Sequence, residues 1–194
     1  MLIWINGTFG VGKTQAAFGL HRKLPGSAVV DPELLGFGIQ RMYPPAIRDD
    51  FQETPWWAPT AAEILVDISR KHPGTLIVPM TLSDPVRRRV IFDALHGADI
   101  KTLHVTLLAN QTTVLRRLRS RLDGRSSWAA QRFEDADAAL RADPFGERLA
   151  TDGMSVPQVV EHIGALAGVS LSHSLAERLA QPARRLGVTL RHIR

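Results

Sequence analysis

The chain has 194 residues, 44% of them hydrophobic, and a formal net charge of +5. That length suits one α/β domain, and the apolar content excludes a disordered chain. The absence of cysteine excludes disulfides, thiolate zinc sites and a cysteine nucleophile, and it fits a reducing cytoplasm.

Leu2–Asn6 is an apolar run that reads as a strand. Met1 enters it without a basic n-region, so no signal peptide is expected, and no uncharged apolar run is long enough to predict a membrane span. Gly7-Thr8-Phe9-Gly10-Val11-Gly12-Lys13-Thr14 follows and fills every defined position of G-x-x-x-x-G-K-[ST]. Glycines let backbone N–H groups curl around phosphate oxygens, and the helix start that follows adds the positive end of its dipole. Lys13 supplies a mobile cation for β- and γ-phosphates, and Thr14 a hydroxyl for Mg²⁺. A strand before the loop and helical spacing after it (Ala16, Ala17, Leu20, Leu24) make a chance match a poor explanation. The expected ligand is therefore ATP with Mg²⁺.

Pro25-Gly26 ends the first helix, and Ala28–Val30 reads as a second strand closing on Asp31. The pattern from Leu34 to Pro59 is irregular, with paired prolines and the pair Trp56-Trp57. These tryptophans either pack in the core or line a pocket that stacks a base-like group. Thr60-Ala61-Ala62-Glu63 is a capping box that predicts a helix with Ile64, Leu65 and Ile68 on one face. Thr75–Met80 is the third strand. Asp84-Pro85 opens another helix, with Val86, Val90, Ala94 and Leu95 inward. Lys101–Ala109 is the fourth strand, and Asn110 caps a helix whose apolar face is Val114, Leu115, Leu118 and Leu122. Beyond Gly124, Ser126 or Ser127 starts a further helix through Phe133 and Leu140; Arg148–Thr151 is a fifth strand and Ser155–Ala167 the helix after it. Alternating strands and helices predict a parallel sheet with right-handed crossovers.

The reaction is less openly written than the nucleotide. The strand Thr75–Met80 carries no acid at its end, which argues against a motor-type ATPase, and Asp84 reads better as a helix cap. Asp31 ends its strand where ligands gather in such sheets, so it reads either as a proton acceptor or as the cap of the turn Asp31-Pro32-Glu33. Arg116, Arg117, Arg119 and Arg121 crowd one helix, with Arg125 and Arg132 beyond Gly124. Together they read as a lid that wraps transferring phosphates, the alternative being a solvated basic face. The histidines show no metal-ligand spacing and read as structural or surface residues.

The segments MLIWINGTFGVGKTQAAFGLHRKL, VVDPELLGFG, LIVPMT, TLLANQTTVLRRLRSR, SSWAAQ and LRHIR, in this order, resemble the tunicamycin-resistance protein family over nearly the whole chain. The resemblance implies a P-loop, nucleoside monophosphate kinase-like domain over 1–168. It implies a five-stranded parallel sheet of order 2-3-1-4-5, a substrate region at about 31–60 and an arginine lid at about 116–132. It puts Gly10, Gly12, Lys13 and Thr14 in the nucleotide loop and Asp31 where related kinases keep a substrate-binding or basic carboxylate. Arg117 would stack on adenine, Arg121 would face phosphate, and Asp152 would lie beside the adenine. Some kinase relatives keep an acid after the strand that ends here in Ile77-Val78, and this chain departs from them.

Tunicamycin is a uridine-containing nucleoside antibiotic with a sugar and a lipid tail, so the implied activity is ATP-dependent phosphorylation of one of its hydroxyls. The rival reading is an ATP-binding protein that sequesters the drug without chemistry. A nucleic-acid partner is not expected, since no recognised module is present. The expected location is the cytoplasm; the basic, leucine-spaced tail 169–194 reads either as a helix docking its apolar face on the sheet or, as the resemblance implies, as a peripheral contact with the inner face of the membrane.

Overall fold

The computed structural model describes residues 1–119 and 133–172. Arg121, Arg125, Arg132, the helix start at Ser126 or Ser127 and the tail beyond 172 lie outside the described residues.

Five parallel strands form one sheet in the order β2-β3-β1-β4-β5. They are β1 (Leu2–Gly7), β2 (Ala28–Val29), β3 (Leu76–Pro79), β4 (Thr102–Leu108) and β5 (Glu147–Ala150). All of β1 is buried, as expected of a central strand covered on both faces. Its residues alternate between two cores. Ile3 and Ile5 face one side, with Ala16, Leu20, Val114, Val160 and Ile163. Leu2 and Trp4 face the other, with Trp57, Leu65, Ile91 and Leu95. The helices supplying those residues are α1 (Lys13–Lys23), α2 (Glu33–Met42), α3 (Trp57–Lys71), α4 (Pro85–Gly97), α5 (Gln111–Arg119), α6 (Phe133–Ala142) and α7 (Val156–Ala167). The parallel register runs Ile5↔Pro79 and Gly7↔Leu107, so the ends of β1, β3 and β4 come together at the loop.

Several caps stand where the sequence puts them. Asp84 accepts the Arg87 N–H at 2.8 Å to start α4. Asn110 accepts the Thr113 N–H at 2.9 Å to start α5, and the Gln158 side chain accepts the Ser155 N–H at 2.8 Å at the head of α7.

Three expectations are corrected. Part of the segment read as irregular is the helix α2, whose two glycines obscure its period. Gly36 is needed there, because a Cβ would stand 2.2 Å from the Phe51 ring. Helix α3 begins at Trp57 instead of at a Thr60 cap. The indole N–H of the buried Trp57 donates to the Pro32 carbonyl at 3.1 Å, and this tertiary tie fixes the start without a side-chain cap. In α4, Val86 and Val90 are exposed, and the inward face is Ile91 and Leu95. Its Phe92 leans on Trp4, His104 and Phe145, and that aromatic contact sets the helix rotation.

Candidate active site

The phosphate loop links the end of β1 to α1. Gly10 has φ +81 and would bring a Cβ to 2.7 Å from the Leu118 side chain, so only glycine lets the loop seat against α5. At Gly12, φ +113, a Cβ would meet nothing within 4 Å, which leaves the mouth of the loop open. Val11 and Thr8 are buried, Phe9 and Thr14 half-buried, and Thr14 sits in the first turn of α1.

Lys13 is buried, and its ammonium donates to the carbonyls of Gly7 at 2.9 Å and Thr8 at 3.0 Å, 5.4 Å from the centre of the Phe9 ring. The Gly7 carbonyl also accepts the Thr81 hydroxyl at 2.9 Å. Were Lys13 to turn towards a phosphate, the Gly7 carbonyl would keep a partner, which lowers the cost of such a movement. A glycine cradle with an open mouth, a lysine folded along its rim and a threonine hydroxyl in the following turn fit a nucleotide phosphate and Mg²⁺.

Behind the loop lies a polar network that the sequence does not announce. The Asn6 carbonyl oxygen accepts the N–H groups of Gly7 at 2.8 Å and Leu82 at 2.9 Å. Its amide donates to the Leu82 carbonyl at 2.9 Å and lies 3.1 Å from His104 Nε2. His104 Nδ1 stands 3.1 Å from the Phe145 carbonyl. Burial, the largest cause, lowers the His104 pKa from 6.5 to about 4. The neutral ring then donates from Nδ1 to Phe145 and accepts from Asn6 at Nε2. Asn6 thus pins the start of the loop to the segment after β3. The available signal was a polar residue inside an apolar strand, which burial obliges to find partners.

The segment after β3 holds Thr81 and Leu82 close to the loop, and Asp84 serves as the cap of α4. Asp31 follows the end of β2, across β3 from the loop. Its carboxylate accepts the Glu33 N–H at 3.0 Å, so the turn-capping role is real.

Arg117 projects from α5 to the far side of the loop. Its guanidinium donates to the Val11 carbonyl at 2.7 Å, the Thr151 hydroxyl at 3.2 Å and the Thr151 carbonyl at 2.9 Å. Thr151 is buried and passes its own hydroxyl hydrogen to Leu108 at 3.1 Å. Both Asp152 carboxylate oxygens accept the Asn110 N–H at 3.2 Å. Arg117, the loop and the turn after β5 therefore form one corner. Lys13, Thr14, Asp31, Arg117 and Asp152 all lie at the carboxyl end of the sheet, whereas Arg121 falls outside the described residues. Among the described residues, no group of three or more His, Cys, Asp or Glu could hold a metal ion, and no helix is long and apolar enough to cross a membrane.

The loop and the strand order define a nucleotide-binding P-loop fold of the kinase type. Residues 2–143 match the AAA domain family. The chain is 39% identical to the tunicamycin resistance protein of Deinococcus radiodurans, over 89% of this chain and 98% of that one, with a TM-score of 0.75. It belongs to the tunicamycin-resistance protein family within the P-loop class. A gluconokinase from Sinorhizobium meliloti shares the fold at 18% identity and TM-score 0.62, covering 87% of this chain and 92% of that one. The APS kinase of Mycobacterium tuberculosis does so at 18% identity and TM-score 0.61, covering 86% and 96%. No curated protein sequence matches the chain.

Proposed function

We propose that the protein transfers the γ-phosphoryl group of ATP to a hydroxyl of tunicamycin or a related nucleoside antibiotic. The observation that carries this reading is a carboxylate, Asp31, at the carboxyl end of β2, on the same sheet edge as Lys13 and the phosphate loop. In the reaction the acceptor oxygen forms a bond to the γ-phosphorus while the bond between that phosphorus and the β–γ bridging oxygen breaks. The electron pair leaves with ADP, and the acceptor's proton passes to Asp31. Lys13 turns from the Gly7 and Thr8 carbonyls to the phosphates, and the loop N–H groups hold them in line. Thr14 would hold Mg²⁺, which supplies charge neutralisation when bound. Arg117 fixes the loop against the turn after β5, beside which Asp152 borders the base.

A second reading, binding of ATP and drug without transfer, is favoured by one feature. The segment after β3 offers Thr81, bound to Gly7, where a hydrolytic P-loop protein needs an acid. Mass spectrometry of tunicamycin incubated with ATP, Mg²⁺ and the protein separates the two. A gain of one phosphoryl group is expected, and an unchanged drug with bound ATP would establish sequestration instead. The tail 169–194 completes the reading as a cytoplasmic protein held at an anionic membrane surface.

A further inference from the structure

Four of the nine exposed large apolar side chains among the described residues fall between β2 and α3: Leu34 at 54% exposure, Met42 at 84%, Ile47 at 62% and Trp56 at 64%. Scattered exposed leucines mean little, but a concentration beside a reaction site indicates a ligand surface. Leu34, Gly38 and Met42 follow one another at a spacing of four residues along α2, so they share its outward face. A Cβ at Gly38 would meet nothing within 4 Å, so the stripe is unobstructed at its middle.

The stripe does not lie apart from the site. It begins one helical turn after Asp31, and the Trp57–Pro32 hydrogen bond ties the first turn of α3, with Trp56 at its head, to the same corner. From Leu34 to Met42 it extends about 12 Å. The ground beneath it is firm, because the Phe37, Phe51 and Trp57 rings meet edge-on and tilted, with centres 5.7 and 5.6 Å apart. Within the phosphotransfer reading, on which this rests, the acceptor has its reacting hydroxyl at Asp31 and the open apolar face of α2 leading away from it.

We infer that the Leu34–Gly38–Met42 face of α2 binds a straight alkyl or acyl chain of the acceptor, which makes this an enzyme for amphiphilic substrates. The chain lies along the helix, and Gly38 gives it room. Burying each methylene is worth about fourfold in affinity, so even a partly covered chain gives a large discrimination.

Calorimetric binding of tunicamycin and of its chemically deacylated core to the full chain tests this. The native protein is expected to bind tunicamycin at least about 20-fold more tightly than the core. Gly38→Glu and, independently, Met42→Glu should abolish that preference while changing affinity for the core and for ATP by less than about twofold. Retention of the preference in both variants overturns the assignment of the stripe, and equal affinities in the native protein overturn chain recognition itself. If tunicamycin and core both fail to bind, the acceptor assignment falls and this inference with it. A change of sedimentation on Gly38→Glu without loss of the preference would show that the face joins two copies of the chain, which also overturns the proposal.

Discussion

The guanidinium of Arg117 and the carbonyl of Val11 stand 2.7 Å apart, although 106 residues separate them in the chain. Through this bond, and two more to Thr151, α5 grips the back of the phosphate loop and the turn after β5 at once. The arginine acts here on protein carbonyls, so the role we propose for it is to preorganise the loop.

Arg117→Ala should weaken ATP binding about tenfold and lower stability by about 1–3 kcal/mol, because charge-assisted bonds to buried carbonyls are lost. Arg117→Lys should recover little, since one ammonium cannot span Val11 and Thr151 as a planar fork does. Calorimetric titration with ATP and urea unfolding read the two effects separately. Full ATP affinity in Arg117→Ala would limit the residue to a structural brace.

Lys13→Ala is expected to abolish detectable ATP binding with little effect on the fold, because its hydrogen bonds end on loop carbonyls and the apolar cores are untouched. Fluorescence titration with a labelled ATP analogue, alongside a thermal melt, checks both halves of the statement.

Asp31→Asn separates capping from chemistry. The amide oxygen can still accept the Glu33 N–H, so the turn cap should survive the substitution. Transfer to the acceptor should fall about 10²-fold or more, since an amide cannot take the proton. Turnover within a few-fold of the native rate would remove Asp31 from the mechanism.

The two glycines of α2 should respond in opposite directions. Gly36→Ala drives a methyl group into the Phe51 ring and should cost about 1–3 kcal/mol. Gly38→Ala meets open space in an ordinary helical position and should stabilise by about 0.4–1 kcal/mol. Paired urea unfolding curves test the sign of each.

His104 should make the protein acid-labile. Its folded pKa of about 4 lies below the unfolded value of 6.5, so below pH 6.5 the unfolded chain takes up a proton that the folded one refuses. Stability from this group is complete above 6.5 and declines as pH falls towards 4, by about 3 kcal/mol in all. His104→Gln should flatten that part of the stability–pH curve, and an unchanged slope would assign the acid lability to other groups.

The sheet and its loop were legible because both depend on local signals. Gly7–Thr14 is a fixed spacing, and β1, β3 and β4 are apolar runs between clear stops. What escaped depends on partners distant in sequence. Trp57 starts α3 through a bond to Pro32, and α2 hides behind Gly36, which Phe51 requires. In α4 apolar residues occur on several sides, so period alone could not choose Ile91 and Leu95 over Val86 and Val90. Asp152 follows β5 as its place in the chain implies, but nothing in the spacing tells that Arg117 reaches Val11 and Thr151. Asn6 and Thr81 look like ordinary strand-end residues until the segment after β3, which carries Thr81, folds against the end of β1.

Asn6 also governs how the protein ages. Asn-Gly is the dipeptide most prone to deamidation, since the following nitrogen readily attacks the side-chain amide to form a succinimide. In the folded chain the pair lies in the fully buried β1, and the Gly7 N–H is instead bonded to the Asn6 carbonyl oxygen at 2.8 Å. The side chain is anchored on Leu82 and His104, which restrains the rotation that ring closure needs. Unfolding releases that restraint. Each excursion then exposes the hinge of the phosphate loop to conversion into aspartate or isoaspartate, and a molecule so altered cannot rebuild the network on refolding. Folding thus acts as a chemical preservative for the residue on which the loop turns, and prolonged unfolding is expected to add a covalent, irreversible loss of function.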